Sequence, residues 1–369
     1  GRRPATPFHR YRTAAMPRPG LRLAAAAWAG LWAAGQAIAL QAASSLLEAE
    51  QSENRLLNAL NLEMIRKHAG LYSDKSAHPE YANTVLITAS NVAYSEMLRN
   101  WRCHADKLGL DYVIIALDPE LLKETGSDRT MLVDGNYFPE AAKFRQGHFN
   151  EMSCTKLRIV KEIMMATGLN VVFSDPDNVF GGDPFAPGVS LGDKMRSGRL
   201  QYIYQQNHGF KSVPNASDLG AEVREGNTGF YYVSGSTKAK GVQALFKAAL
   251  TECKRHGNID DQTNFWQALR HVREGSAFDE YGDEDSFKCA DLCGNGNKTC
   301  SAANEEVLSY CEMDPWNHAT GWGVWGWTGE KKIVTYHANF IGRGMEAKIG
   351  KLQNANFWDA KCVEASGKR

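Results

Sequence analysis

Two carboxylates one residue apart, Asp175 and Asp177, follow directly on the hydrophobic run Asn170-Val-Val-Phe-Ser174. Such a run reads as a buried strand, so the pair stands at its carboxyl edge, where open α/β sheets bind ligands. Carboxylates this close repel one another, and a hard divalent cation relieves the repulsion. Mg2+ or Mn2+ accepts a few protein oxygens and completes its shell with water and substrate phosphates. The same Asp-Pro-Asp sequence also suits a solvated turn, and Asp-x-Asp alone is too common to decide between them. A second acidic pair, Asp260-Asp261, precedes a helix carrying Phe265, Trp266 and Leu269, and either acid suits its N-cap.

The elements that must position these residues begin at Asn83. Thr84-Val-Leu-Ile-Thr88 is a strand; Tyr94, Met97, Leu98, Trp101, Ala105 and Leu108 then keep helical spacing up to Gly109. Asp111 to Leu117 is the next strand. A helix with Leu157, Val160, Met164 and Thr167 stops at Gly168 and leads straight into the run before Asp175. Two β–α–β passages predict a Rossmann-like, three-layer α/β/α domain with a mixed, mostly parallel sheet. Gly229 to Val233 reads as a further strand, and Ser236 as the N-cap of a helix running through Val242, Phe246 and Leu250 to Gly257. Residues 275–330 read as an irregular Cys- and Trp-rich insertion. No Gly-x-Gly-x-x-Gly follows the first strand, which argues against a dinucleotide dehydrogenase.

Composition narrows the classes. The 369 residues hold 42 Lys and Arg against 42 Asp and Glu, so no basic excess is available for a nucleic-acid backbone. With 43% hydrophobic and 23% charged residues the chain is neither largely disordered nor collagen-like. Residues 1–15 read as an unstructured basic extension. Met16 to Arg22 is a short basic stretch before the uncharged run Leu23–Leu47, which contains the small-residue pattern Ala37-Ile-Ala39. Residues 16–43 therefore read as a secretory signal peptide or a type II signal anchor spanning a membrane once, with plastid targeting as the competitor. Residues 44–80 follow as a helical stem and 81–365 as the catalytic domain. The expected location is the Golgi lumen, as a type II membrane protein, or otherwise the secretory pathway.

Cysteine usage agrees with that location. Four of the eight cysteines, Cys289, Cys293, Cys300 and Cys311, lack the paired Cys-x2-Cys units of a zinc knuckle, which favours disulfides in an oxidising lumen. Asn215-Ala-Ser217 and Asn297-Lys-Thr299 are glycosylation acceptors there. Trp316, Trp322, Trp325 and Trp327 suit either a sugar-stacking platform or the packing of an irregular segment.

The core resembles the nucleotide-diphospho-sugar transferase domain of the family 77 glycosyltransferases, a retaining family with the GT-A fold. The resemblance rests on the helix Lys156–Gly168 running into Val171-Val-Phe-Ser-Asp-Pro-Asp177, with Asp183-Pro184 after it. It continues through Asn227-Thr-Gly-Phe-Tyr-Tyr232, Asp260-Asp-Gln-Thr-Asn-Phe-Trp266 and Tyr336-His-Ala-Asn339. It implies a metal site of Asp175, Asp177 and His337, with Asp175 nearer the ribose and Mn2+ or Mg2+ as the ion; a core histidine is the other reading of His337. It implies that Lys156 and Lys348 serve the nucleotide-sugar, Lys348 as a point charge on the diphosphate. Thr88, Ser90 and Asn91 fall in the turn that holds the uridine in this fold, although Ser90 or Asn91 is equally suited to cap the next helix. Asp261 and Gln262 become acceptor-side candidates, and Asn227 either a sugar contact or a turn residue. Two departures leave the ligands intact: Pro176 stands between the acids where an aliphatic residue is common, and Phe340 where Trp is common.

The expected activity is metal-dependent, configuration-retaining transfer of a sugar from a nucleotide-sugar, a UDP-sugar, to a glycan or glycoprotein hydroxyl. A front-face mechanism and a covalent intermediate on Asp261 are both consistent with the sequence. Two other classes compete: a non-catalytic glycan- or nucleotide-sugar-binding relative, and a metal-dependent nucleotide-sugar hydrolase. The lack of a His-rich two-metal cluster argues against the hydrolase.

Overall fold

The hydrophobic runs anticipated as strands lie side by side. In the computed structural model β1 (Thr84–Ser90) pairs in parallel with β2 (Val113–Ala116), β2 with β3 (Thr130–Leu132), and β1 on its other edge with β4 (Asn170–Ser174). β5 (Asn178–Phe180) leaves for a second sheet. β6 (Tyr202–Gln206) and β7 (Gly226–Val233) return to the first, where β7 runs antiparallel to both β4 and β6. β8 (Cys289–Leu292) and β9 (Val307–Glu312) complete it in parallel, in the order β3-β2-β1-β4-β7-β6-β9-β8. β10 (His318–Thr320) and β11 (Thr335–His337) join β5 in the order β10-β11-β5. The structure describes residues 61–133, 138–140, 148–207, 226–235, 239–257, 259–274, 289–292, 307–321, 332–339 and 344–366, all within the unit Arg55–Arg369.

Nine helices are described: α1 (Leu62–Lys67), α2 (Ser95–Lys107), α3 (Pro119–Thr125), α4 (Phe149–Thr167), α5 (Ser190–Arg196), α6 (Lys240–Arg255), α7 (Asp261–Glu274), α8 (Met345–Asn354) and α9 (Ala360–Ser366). Successive strand side chains point to opposite faces, and the core divides accordingly. Val85, Ile87, Val171 and Phe173 pack with Leu157 and Val160 of α4, Leu245 of α6 and Phe265 of α7. Leu86, Ile114 and Val172, one residue out of phase, pack with Leu98 and Trp101 of α2, Leu121 of α3 and Leu191 of α5. Burial on both faces explains why these strands read as continuous hydrophobic runs rather than alternating ones. The result is the expected three-layer α/β/α domain with a mixed, mostly parallel sheet.

Several elements differ from the sequence reading. The segment 275–330, expected to be irregular, supplies β8, β9 and β10, and the first two extend the main sheet. β7 begins before Gly229 and takes in Asn227, so Asn227 is a strand residue and not a turn residue. His337 closes the short strand β11. Two disulfides outside the 289–311 block cross-link the helices: Cys103–Cys362 joins α2 to α9, and Cys154–Cys253 joins α4 to α6. Cys311 is disulfide-bonded too, whereas Cys293 and Cys300 lie outside the described residues. So do the N-terminal segments 1–15 and 16–43, the stem up to residue 60, Ser236, both glycosylation acceptors, Trp322, Trp325, Trp327 and Phe340. Trp316 is buried, as packing requires. Among the described residues no helix is long and apolar enough to cross a membrane.

Candidate metal and donor site

The acidic pair occupies the turn between β4 and β5. The Asp175 N–H donates to the Gly229 carbonyl of β7 at 2.6 Å, and the Asn178 N–H to the Asp175 carbonyl at 3.0 Å. α2 supports the turn from below, with Trp101 Nε1–H donating to Ser174 Oγ at 3.0 Å. β5 then runs antiparallel to β11 in a register that sets His337 opposite Asn178, and the Ala338 N–H donates to the Asp177 carbonyl at 2.9 Å. Strand pairing thus carries a distant imidazole to the carboxylates. Asp175, Asp177 and His337 each present one ligand atom, and these atoms all lie within 4.8 Å of one another. Two carboxylates and an imidazole suit a divalent ion such as Mn2+ that accepts oxygen and nitrogen together.

Positive charge already surrounds the carboxylates. Lys156 Nζ of α4 lies 2.8 Å from Asp175 Oδ1, Lys348 of α8 donates to Asp177 Oδ2, and His337 Nε2 lies 3.2 Å from Asp177 Oδ1. Burial alone would raise the Asp177 carboxyl; Lys348 and His337 outweigh it and hold the group well below the usual carboxylate range. Burial likewise disfavours the two ammonium groups, yet Asp175 keeps Lys156, and Asp177 keeps Lys348, above the ordinary lysine value. Asp177 is therefore ionised throughout the physiological range, as a metal ligand must be.

The Asp260-Asp261-Gln262 block is built from the start of α7. Asp260 caps the helix: its Oδ1 accepts from the Thr263 N–H at 2.9 Å. That leaves Asp261 free of the capping role. Its own N–H donates to Ser153 Oγ of α4 at 3.1 Å, and Thr228 of β7 hydrogen-bonds its carboxylate, while Oδ2 is buried without a hydrogen-bond partner. Burial raises the Asp261 carboxyl, and the Asp175 and Asp260 charges add to the rise against the pull of Lys156. Gln262 Oε1 accepts from Asn227 Nδ2 at 3.0 Å, and Asn227 Oδ1 accepts from the Gly229 N–H at 2.6 Å. Asn227 therefore links the Asp260-Asp261-Gln262 block to the strand residue that holds Asp175.

The turn after β1 behaves differently. Thr88, Ser90 and Asn91 are all buried. Asn91 Nδ2 donates to the carbonyls of Phe138 (2.5 Å) and Glu140 (3.0 Å), which pins a neighbouring loop. Neither Ser90 nor Asn91 caps the following turn; that position falls to Asp118, whose Oδ2 accepts from the Val92 N–H at 2.7 Å. Thr88 Oγ1 and Asn91 Oδ1 are buried without hydrogen-bond partners.

A family model described as nucleotide-diphospho-sugar transferase matches residues 110–352, which include the whole metal corner and α7. The chain belongs to this nucleotide-diphospho-sugar transferase family. Among solved structures the transferase is similar to the glycosyltransferase GlyE of Streptococcus pneumoniae, at 14% identity over 63% of this chain and 45% of that one, with a TM-score of 0.31. It is also similar to the galactosyltransferase LgtC, solved with donor and acceptor sugar analogs, at 12% identity over 50% of this chain and 69% of that one, with a TM-score of 0.34. The chain thus spans less than half the length of GlyE. No curated protein matches it.

Two residues of the transferase site carried no sequence signal of their own. Gly229 lies against the metal corner: a Cβ there would fall on His337 Cε1 and within 2.7 Å of both Asn227 Oδ1 and Asp175 Oδ2. Only glycine lets β7 approach this closely. Gln205 of β6, in a strand the sequence reading did not anticipate, lies 3.0 Å from His337 Nδ1.

Proposed function

We propose that this transferase moves a sugar from a UDP-sugar to a glycan or glycoprotein hydroxyl, with Mn2+ (or Mg2+) as the ion and with retention of anomeric configuration, as a family 77 glycosyltransferase. The observation that carries the proposal is the convergence of Asp175, Asp177 and His337, from the β4–β5 turn and the end of β11, on one point at the sheet edge. Retention, family 77 and the uridine rest on the sequence resemblance. A luminal Golgi location rests on the uncharged run after Arg22 and on the disulfides, which persist in oxidising compartments.

Each residue has a distinct task. Asp175, Asp177 and His337 would hold the ion, which supplies Lewis-acid stabilisation of the charge developing on the departing diphosphate. Lys348 helps to hold Asp177 ionised, and Lys348 and Lys156 together bring positive charge to the same leaving group. Asp261 presents a buried carboxylate oxygen with no partner, suited to the positive charge that builds at the anomeric carbon. That role serves a front-face departure and a covalent route equally. Gln262, tied to Asn227, fixes the polar wall beside it.

The test is calorimetric titration of UDP into the full chain with and without Mn2+, beside Asp177→Ala. Mn2+-dependent binding that the variant loses supports the donor half. A folded wild-type chain that binds no UDP with Mn2+ present overturns the uridine assignment. Sugar release to water at a rate indifferent to any acceptor overturns transfer in favour of hydrolysis.

A further inference from the structure

Resting on the metal reading above, we propose that Gln205 is a positioning residue that fixes the metal-binding tautomer of His337. A neutral imidazole has one N–H and one lone pair, and the partner of one nitrogen decides which nitrogen is free to ligate. His337 Nδ1 faces the Gln205 amide at 3.0 Å, and Nε2 faces Asp177 Oδ1 at 3.2 Å. The orientation of the Gln205 amide follows from its other contacts. Its far end lies 3.1 Å from the Ala319 carbonyl, 3.3 Å from the His318 carbonyl and 3.5 Å from Asn178 Oδ1. Backbone carbonyls only accept, so that end is the NH2 group. The end facing His337 is therefore Oε1, which also only accepts. Nε2 also faces an acceptor, Asp177 Oδ1, so an ion at this corner would take the place of the Nε2 proton, while Gln205 Oε1 keeps the other proton on Nδ1 and leaves the Nε2 lone pair to the ion.

Turning the amide over would set Oε1 against two carbonyl oxygens in a fully buried position, so the orientation is locked by β10. The local backbone supports this aim. The register between β6 and β7 shifts between Tyr204 and Gln205, and irregularities of that kind re-aim a side chain. Gln205 thus reads the carbonyls of one strand and passes the polarity to an imidazole at the end of the next.

The test measures Mn2+ alone on the full chain, by calorimetry and by the nitrogen modulation of the Mn2+ spin echo, in wild type, Gln205→Met, Gln205→Glu, His337→Ala and the Gln205→Met/His337→Ala pair. Met matches the volume without an acceptor; Glu keeps the acceptor. Loss of such an outer partner weakens metal binding about 10–100-fold. Gln205→Met should show that loss together with the disappearance of nitrogen modulation, at an unchanged melting temperature, and Gln205→Glu, whose buried carboxyl in its protonated form donates to the same carbonyls and turns its carbonyl oxygen to His337, should restore both. The double variant should bind no more weakly than His337→Ala, since Gln205 acts through His337. Binding by folded Gln205→Met within about twofold of wild type, or additive losses in the pair, overturns the assignment while leaving the metal site standing. A wild-type chain that binds no Mn2+ overturns the metal reading and this inference with it.

Discussion

Asp177 and Asp261 are the same residue type at nearly the same burial, 3% and 5% exposed, and they are pushed in opposite directions. Burial drives both carboxyls upward. The difference lies in the cations. Asp177 has Lys348 and His337 to itself, whereas the Lys156 near Asp261 is engaged 2.8 Å from Asp175, and Asp175 and Asp260 add negative charge. One carboxylate is therefore stabilised in its charged form before any ligand arrives. The other carries an uncompensated oxygen and gains most when a positively charged species forms beside it. Paired acids separated by environment in this way mark different roles in one reaction, and the roles proposed above are metal holding and transition-state stabilisation.

The largest break in this contrast comes from Asp177→Asn. Losing the ion's stabilisation of the leaving group, several kcal/mol, should lower transfer about a thousandfold at saturating Mn2+; a loss under about tenfold would remove Asp177 from the metal site. Asp261→Asn sharpens the other half. Turnover should fall about a hundredfold, the cost of removing one electrostatic stabiliser, while Mn2+-dependent UDP binding stays at the wild-type level. Its melting temperature at neutral pH should rise: a raised carboxyl favours the folded state only where it is protonated, so the ionised form opposes folding and the amide does not. Calorimetric melting checks the sign, and a fall would mean that Asp261 is held structurally.

Gly229→Ala tests whether the corner tolerates a displaced ring. The added methyl displaces His337 and should weaken Mn2+ about tenfold or more by direct titration. The smallest effect concerns His318, a buried base without an acid partner. Burial, with Lys194 adding to it, lowers its proton affinity from 6.5 to about 3. The unfolded chain takes up that proton near 6.5 and the folded chain refuses it until about 3, so stability falls as pH drops through this window. The slope is up to about 1.4 kcal/mol per pH unit. Urea unfolding of His318→Gln between pH 7 and 5 should show the slope flattened.

The Asp-x-Asp pair was legible because a buried strand announces its own end. The core was legible because β1 and β4 are hydrophobic on both faces. His337 was reachable only through resemblance, since its place depends on a three-residue strand pairing with β5. Gln205 and Gly229 were not legible as site residues at all. Their roles arise from close approach between strands far apart in the chain, which local spacing does not encode. The choice between Asp260 and Asp261 as cap needed the actual hydrogen bond to Thr263. Asn91 had the right composition for a cap or a nucleotide contact, yet long-range contacts to Phe138 and Glu140 engage its amide.

The two helix cross-links also set an order of assembly during synthesis. Cys154 and Cys253 are 99 residues apart, whereas Cys103 and Cys362 are separated by 259. On the ribosome the first pair is complete about a hundred residues before Cys362 emerges, a lead of roughly 5–20 s at ordinary elongation rates. The cross-link that anchors the Lys156 helix can close while Cys103 still waits. That thiol stays open to wrong partners until Cys362 has been made, which makes α9 a late gate on whether a nascent chain is correctly joined.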